Sequence, residues 1–243
     1  MDWLYDQGVK DIYFGHKIKN IEQNSDSVTV VADTPNGDRS YMGNWLIGAD
    51  GANSIVRQLS GINFEGFTWE EKFLVVSTTY DYKKYIKNLS YVNYYADPQQ
   101  WFFLLKVPGL WRVMFPVQKE ENEADIFSAE CVENRMQWVQ ASPKTFEIAH
   151  RTLYKVHQRV AAKYREGRIF LIGDAAHVLP PTGGLGLNAG FQAVHNLMWK
   201  LAGVINGWAD ANLLASYAVE RREITQINAE ASFKNNVNAG AIG

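Results

Sequence analysis

Cysteine is nearly absent: Cys131 stands alone among 243 residues. No internal disulfide can form, and no Cys/His cluster has metal-ligand spacing. Long apolar runs are missing too. Nothing approaches the roughly 18 consecutive residues that cross a bilayer, and the first residues lack the pattern of a signal peptide. Neither sign of charge is in excess, since 24 basic and 26 acidic side chains give a net charge of -2. The balance offers no reason to expect nucleic acid or an anionic membrane as partner. These absences set the expectation of an ordinary soluble globular chain in the cytoplasm, without a metal. An apolar share of 47% and a charged share of 21% allow a real core, in one large domain or two small ones. Aromatic residues are plentiful, with 8 Trp, 12 Tyr and 12 Phe, which suits a large apolar cavity and a dense core equally.

What is present is one local grammar used twice. "RIFLIGDAAHVLPPTGGLGLNAG" (168–190) opens as a buried strand, turns at an Asp, and then places four glycines in eight residues. "NWLIGADGANSIVRQ" (44–58) repeats it in brief: an apolar run, a Gly, an Asp at its end, a small-residue turn and an Arg. Both runs read as strands covered on two faces in a parallel sheet, and ligands of open α/β sheets bind at the carboxyl ends of such strands. Before them, "MDWLYDQGVKDIYFG" reads as a helix end followed by a short strand. Residues 17–22 and 26–33 read as strands, with "TPNGD" (34–38) as a hairpin turn. Between the two glycine-rich stretches the pattern becomes alternating and aromatic, as in "KFLVVSTTY", "QWFFLLKV" and "LWRVMFPV", with tight turns at "DPQQ" and "PG". A helical stretch spans about 122–140, and two helices follow Gly190, separated by "GWAD". The fold class is α/β, α+β overall: one α/β lobe made of 1–61 and 159–243, with an antiparallel sheet domain inserted at 62–158.

Asp174 can accept a hydrogen bond from a ribose-like or ribityl hydroxyl, or it can cap a helix. Gly183, Gly184 and Gly186 permit unusual backbone angles or close approach of a planar ring. A helix opening between Leu187 and Gly190 aims free N–H groups and a positive dipole end back at that space. Pro180 and Pro181 stiffen the approach. In the companion stretch, amide N–H groups and the Arg57 fork could hold a diphosphate, with Gly51 at the turn and Asp50 acting indirectly. Arg57 reads equally well as a solvated helix residue. His177 is expected to hold its loop and His195 to lie on a helix surface. Ser54 and Ser216 lack a nucleophile context, so hydrolase chemistry is unsupported.

"GADGANSIVR" and "GRIFLIGDAAHVLPPTGGLGLNAG" together resemble the two motifs of the FAD-dependent aromatic hydroxylases, the group A flavoprotein monooxygenases related to para-hydroxybenzoate hydroxylase. The inserted region resembles the branch with 3-(3-hydroxyphenyl)propionate and phenol hydroxylases. The resemblance implies a partial FAD-binding Rossmann-like lobe around a substrate-binding sheet. It implies reduction of FAD by NADH or NADPH, reaction with O2 and hydroxylation of a phenolic ring through a flavin C4a-hydroperoxide. It assigns Asp174 to a ribityl hydroxyl. Gly173 and the stretch Pro181, Gly183, Gly184, Leu185, Gly186, Leu187 and Asn188 line the flavin, with the backbone of Pro181, Gly184 and Leu185 positioning it. Asp50, Gly51 and Arg57 belong to the pyrophosphate side. Tyr91, Tyr94, Trp101 and Phe103 are candidates for the substrate pocket. Ala193 stands where the family often has Asp. The family's GxGxxG segment for the ADP half is not found ahead of "GADGANS". The chain is therefore expected to be a shortened form, or to receive the missing lobe from another chain, and to bind little FAD and catalyse poorly alone. A homodimer, another flavoprotein chemistry (epoxidation or reduction) and a non-enzymatic binding role stay open at this level.

Overall fold

The computed structural model describes residues 6–9, 11–180 and 184–240. The chain divides into two compact units. One takes residues up to Gly66 with Arg159–Leu179 and Gly184–Ala229; the other takes Phe67–Gln158 and the stretch from Glu230. Among the described residues no helix is long and apolar enough to cross a membrane.

The first unit opens with an antiparallel meander of β1 (Lys17–Gln23), β2 (Val28–Asp33) and β3 (Arg39–Gly43), in sheet order β1-β2-β3. Period-2 alternation buries Val28 and Ala32 on one face. The Thr34 hydroxyl closes the hairpin by donating to Gly37 O at 2.7 Å. The short strand expected just before this meander is not formed: residues 11–16 are irregular, with a turn at Phe14–Gly15. There the Tyr13 and His16 rings lie against Tyr41 at 5.6 and 5.9 Å, so side-chain packing replaces a backbone ladder.

The second sheet of this unit joins β4 (Leu46–Gly48), β10 (Arg165–Glu166) and β11 (Ile169–Leu171) in the order β10-β11-β4, with β4 and β11 parallel. Every residue of β11 is buried, as its unbroken apolar run requires. Helix α1 (Ile55–Leu59) follows β4. A Cβ on Gly48 would stand 2.8 Å from Val56 Cγ1 and 3.0 Å from Leu171 Cδ2, so only glycine lets helix and strands approach this closely. Two longer helices, α4 (Leu185–Ile205) and α5 (Leu213–Gly240) as far as Ala229, complete the unit's helical layer. Helix α4 buries Ala189, Ala193, Leu197 and Leu201 at helical spacing. The fully buried Tyr217 of α5 donates its hydroxyl to Leu171 O at 2.6 Å. Lys200, only 1% exposed, ties α4 to α5 through Ser216 Oγ and Glu220, each at 2.7 Å. Past the end of α4, the Trp208 ring rests on Gly203, where a Cβ would come within 2.6 Å of it. The same ring stacks on Trp199, the planes 9° apart and the centroids 6.5 Å.

A six-stranded sheet joins β5 (Phe64–Thr78), β6 (Val92–Tyr95), β7 (Phe102–Val107), β8 (Leu110–Val117), β9 (Ile148–Ala161) and β12 (His177–Val178), in the order β12-β9-β5-β8-β7-β6; β6, β7, β8 and most of β5 and β9 form the second unit, and β12 belongs to the first. The division between the units falls within β5 and β9. One face of the sheet presents Leu74, Val76, Leu104, Val113 and Phe115 to α2 (Glu123–Ile126) and α3 (Ala129–Val139), which contribute Ile126, Val132 and Met136. The single helix expected over 122–140 is thus two. Ser128 breaks it by taking an extended conformation and capping α3, its hydroxyl accepting from Cys131 N–H at 3.1 Å.

Candidate functional site

Parallel pairing sets Leu171 against Gly48, and Ile172 N–H donates to Gly48 O at 3.0 Å. The two Gly-Asp turns therefore emerge side by side from adjacent strand ends. Asp50 and Asp174 are both exposed, but their surroundings differ. Asp50 Oδ2 accepts from Val56 N–H at 3.0 Å, and Ser54 Oγ accepts from Arg57 N–H at 2.9 Å, so the start of α1 is capped twice. Asp174 lies in the 3-10 turn Gly173–Ala175, where no side-chain cap bond is made.

Arg57 is only 5% exposed, not the solvated helix residue that its position in the sequence allowed. Nη1 donates to Ala175 O at 3.0 Å, Nη2 donates to Ala52 O at 2.8 Å, and the guanidinium lies 3.8 Å over the Phe64 ring. Burial lowers its pKa from the ordinary guanidinium value, and the nearby Asp50 charge works against that shift. The side chain thus pins the turn after β4 to the turn after β11.

Above these turns runs the start of α4. Gly184 adopts φ +64, a left-handed conformation natural to glycine, and leads into the helix at Leu185, earlier than the expected Leu187. Asn188 Nδ2 donates to Gly184 O at 3.1 Å; no side chain caps the helix start, so the first-turn amides of Leu185, Gly186 and Leu187 are orphan donors at the positive end of a 21-residue helix. A Cβ on Gly190 would stand 3.7 Å from Gly173 Cα, so the helix crosses the Gly-Asp turn in van der Waals contact. A Cβ on Gly173 or Gly184 would meet nothing within 4 Å. Open space over two glycines, an uncapped exposed carboxylate and a row of free amides fit a cofactor with hydroxyls and a planar, electron-rich ring. Pro181 and Gly183 lie outside the described residues. Ala193, where the resembling family often has Asp, is 1% exposed and packs in the core of this unit. His195 is exposed on α4. His177, expected to hold its loop, is fully buried on β12 opposite Val160, and neither ring nitrogen has a partner.

In the second unit, three of the four aromatic candidates come together on the sheet face opposite α3. Register sets Tyr94 across from Phe103, with ring centroids 4.5 Å apart; Trp101 meets Phe103 at 5.1 Å. Phe73, not singled out from the sequence, joins Trp101 at 5.6 Å. Phe73, Pro98, Trp101, Pro116 and Val117 help line a cavity of about 300 Å³. Tyr91 stands apart, 72% exposed, with Lys83 Nζ 5.3 Å from its ring. Arg112 and Ser77 were also missed. They pair across β5 and β8 on the aromatic face, with Arg112 Nε donating to Ser77 Oγ at 3.4 Å. The visible signal was a charge set inside the alternating run "LWRVMFPV".

The model of the family described as "FAD binding domain" matches residues 1–232. The chain is 32% identical over 219 residues to para-nitrophenol 4-monooxygenase of Pseudomonas sp. strain WBC-3, covering 88% of this chain and 53% of that protein. It is 32% identical over 216 residues to the 3-(3-hydroxy-phenyl)propionate/3-hydroxycinnamic acid hydroxylase of Mycolicibacterium smegmatis, covering 88% of this chain and 37% of that protein. The crystal structure of p-nitrophenol 4-monooxygenase from Pseudomonas putida DLL-E4 superimposes with a TM-score of 0.80 at 32% identity, over 93% of this chain and 56% of that one. The chain spans about half the length of the para-nitrophenol relative and less of the other. With the family model matching nearly end to end over a mixed α/β fold, the chain belongs to the FAD-binding domain family of the aromatic hydroxylases.

Proposed function

We propose that the protein serves in an FAD-dependent monooxygenase that hydroxylates a phenolic or other aromatic ring with NADH or NADPH and O2, in the cytoplasm. The observation that carries this reading is the pairing of two Gly-Asp strand ends beneath the glycine-led start of α4, with Asp174 exposed in the first turn after its strand. Bound FAD supplies the electron transfer and oxygen activation. Asp174 accepts a hydrogen bond from a ribityl hydroxyl. Gly173 and Gly184 leave room for the ring system, and the amides of Leu185, Gly186 and Leu187 favour negative charge on it. Pro181, Gly183 and Asn188 complete that lining in the same proposal. Arg57 and Asp50 act from behind by fixing the turns, and Gly51 keeps the backbone small on the pyrophosphate side. Tyr94, Trp101 and Phe103, with Phe73, wall an apolar site for the substrate ring, and Tyr91 lies at its margin. Relatives named for p-nitrophenol and for 3-(3-hydroxyphenyl)propionate support a phenol as the substrate class. The lone half-buried Cys131 suits a reducing compartment.

The test compares the 243-residue chain with a longer form preceded by an ADP-binding strand-turn-helix. Each is given FAD, NADH or NADPH, O2 and p-nitrophenol. Bound flavin and hydroxylated product carrying ¹⁸O from labelled O2 are measured, because nicotinamide loss alone also follows peroxide release. Labelled product from the longer form supports the proposal. A longer form that holds FAD and oxidises NADH or NADPH without hydroxylating any phenol rejects it.

A further inference from the structure

A buried polar cluster in the first unit has no part in the flavin reading. Arg221 on α5 is 5% exposed. Its Nη2 donates to Gln192 Oε1 at 3.1 Å, and its Nε has no partner. Neighbouring carboxylates are engaged elsewhere, Glu220 by Lys200 and Glu65 by Arg222, and among the described residues no ion pair reaches Arg221. Tyr164 and His177 are both fully buried; both imidazole nitrogens are unpartnered, the tyrosine hydroxyl faces Thr225 without making a full hydrogen bond, and the rings lie 6.2 Å apart. Tyr217, one helical turn before Arg221 on α5, sets its ring 6.3 Å from that of Tyr164, which brings Arg221 to the same cluster, and its charge helps to depress the imidazole and opposes the rise of both phenols.

Unsatisfied buried polar atoms are rare, and three beside a buried cation whose own Nε is also unpartnered are costly. The set is rich in donors. Guanidinium and phenol both donate, while a neutral imidazole offers one donor and one acceptor. Ordered water could satisfy the hydrogen bonds but would leave the charge unbalanced. A multivalent anion such as phosphate would bring more negative charge than one guanidinium neutralises. Outside the cluster, a pocket of about 400 Å³ is lined by Ala162–Arg165, Ala218, Val219, Arg222 and Glu223, with Tyr164 in its wall. Lys163, Arg165 and Arg222 make that approach predominantly cationic, although Lys163 also pairs with Glu166 at 2.7 Å.

We propose that Arg221 and Tyr164, with His177 alongside, form a binding site for a small monovalent anion of the chloride class. The anion completes the charge of Arg221 and ties α5 to the strand that follows the Gly-Asp turn. It is a structural ligand, held whether or not the flavin is present.

The experiment is thermal unfolding of the whole chain in sodium chloride, sodium bromide or sodium gluconate at equal ionic strength, with diffraction from bromide-soaked crystals at the bromine edge. Chloride and bromide are expected to raise Tm saturably, by about 3–6 °C at ten times the dissociation constant, and gluconate to leave it unchanged. The rise disappears in Arg221→Gln and shrinks in Tyr164→Phe, which keeps the ring packing and removes only the hydroxyl. An anomalous peak appears beside Arg221 Nε. Equal melting in all three salts, or bromide crystals with only water at that position, overturns the proposal.

Discussion

In the second unit, one sheet face is closed by α2 and α3, with Met136 of α3 over Leu74, Val113 and Phe115, all fully buried. In the first unit, the sheet that carries the two Gly-Asp turns is only three strands wide. Its chemistry sits at the strand ends, and Tyr164, His177 and the α5 residue Arg221 carry buried unpartnered atoms in the same unit. Both units have a hydrophobic core. The difference lies in what is exposed to a ligand: an aromatic wall in one unit, where Trp69 Nε1 and Gln158 Oε1 are also buried without a partner, and donors, a carboxylate and open space over glycines in the other. An apolar wall is complete without a ligand, whereas amides and buried charges are completed by one.

The largest way to press this contrast is to damage the aromatic unit's core. Phe115→Ala should cost about 3–5 kcal/mol, because a large side chain is removed from a fully buried site; urea unfolding measures it, and a loss below about 1 kcal/mol would show a looser core. The first unit should instead be sensitive to acid. Burial, helped by Arg221, lowers His177 from 6.5 to about 4. The unfolded chain then binds this proton near pH 6.5 and the folded chain only near pH 4. Stability is accordingly complete above about pH 6.5 and falls as pH drops toward 4, by about 3 kcal/mol for this residue. A pH series of urea unfolding reads that slope, which should flatten in His177→Asn.

A smaller effect separates the two aspartates. Asp174→Ala should weaken FAD binding by about 10- to 150-fold, the loss of one charge-assisted hydrogen bond of roughly 1.5–3 kcal/mol. Flavin fluorescence titration of the longer, ADP-segment-bearing form measures it, and unchanged affinity would remove Asp174 from the site. Ser54→Ala should act on the fold, costing about 1 kcal/mol through the lost cap on α1. Urea unfolding detects this loss, and a larger drop in flavin affinity than in stability would show Ser54 touching the ligand.

Much of this was legible in the sequence because it is local. The unbroken apolar runs "WLIG" and "IFLIG" marked the parallel strands, "TPNGD" marked the hairpin, and the period-2 aromatic runs marked the sheet of the second unit. Two Gly-Asp endings pointed to one site since strand ends collect ligands, and the strands are indeed neighbours. The residues that escaped notice depend on partners distant in sequence. Arg57 becomes buried only because Ala175 O, far along the chain, accepts from it. Arg112 belongs to the aromatic face through its pairing with Ser77. His177 looks like a loop residue until β12 is seen to pair with β9. The division of the helix over 122–140 was local after all: Ser128 is a capping residue, and the apolar periodicity running through it hid the break.

The stacked Trp199 and Trp208 rings give the first unit an optical signature. Two indoles stacked 6.5 Å apart couple their electronic transitions, and an in-plane twist between their transition dipoles gives a circular-dichroism couplet that isolated tryptophans lack. Because Trp208 is seated on Gly203, the couplet reports whether the end of α4 is folded. A Trp208→Phe protein provides the blank, and the remaining signal tracks the other tryptophans, several of which lie in the second unit.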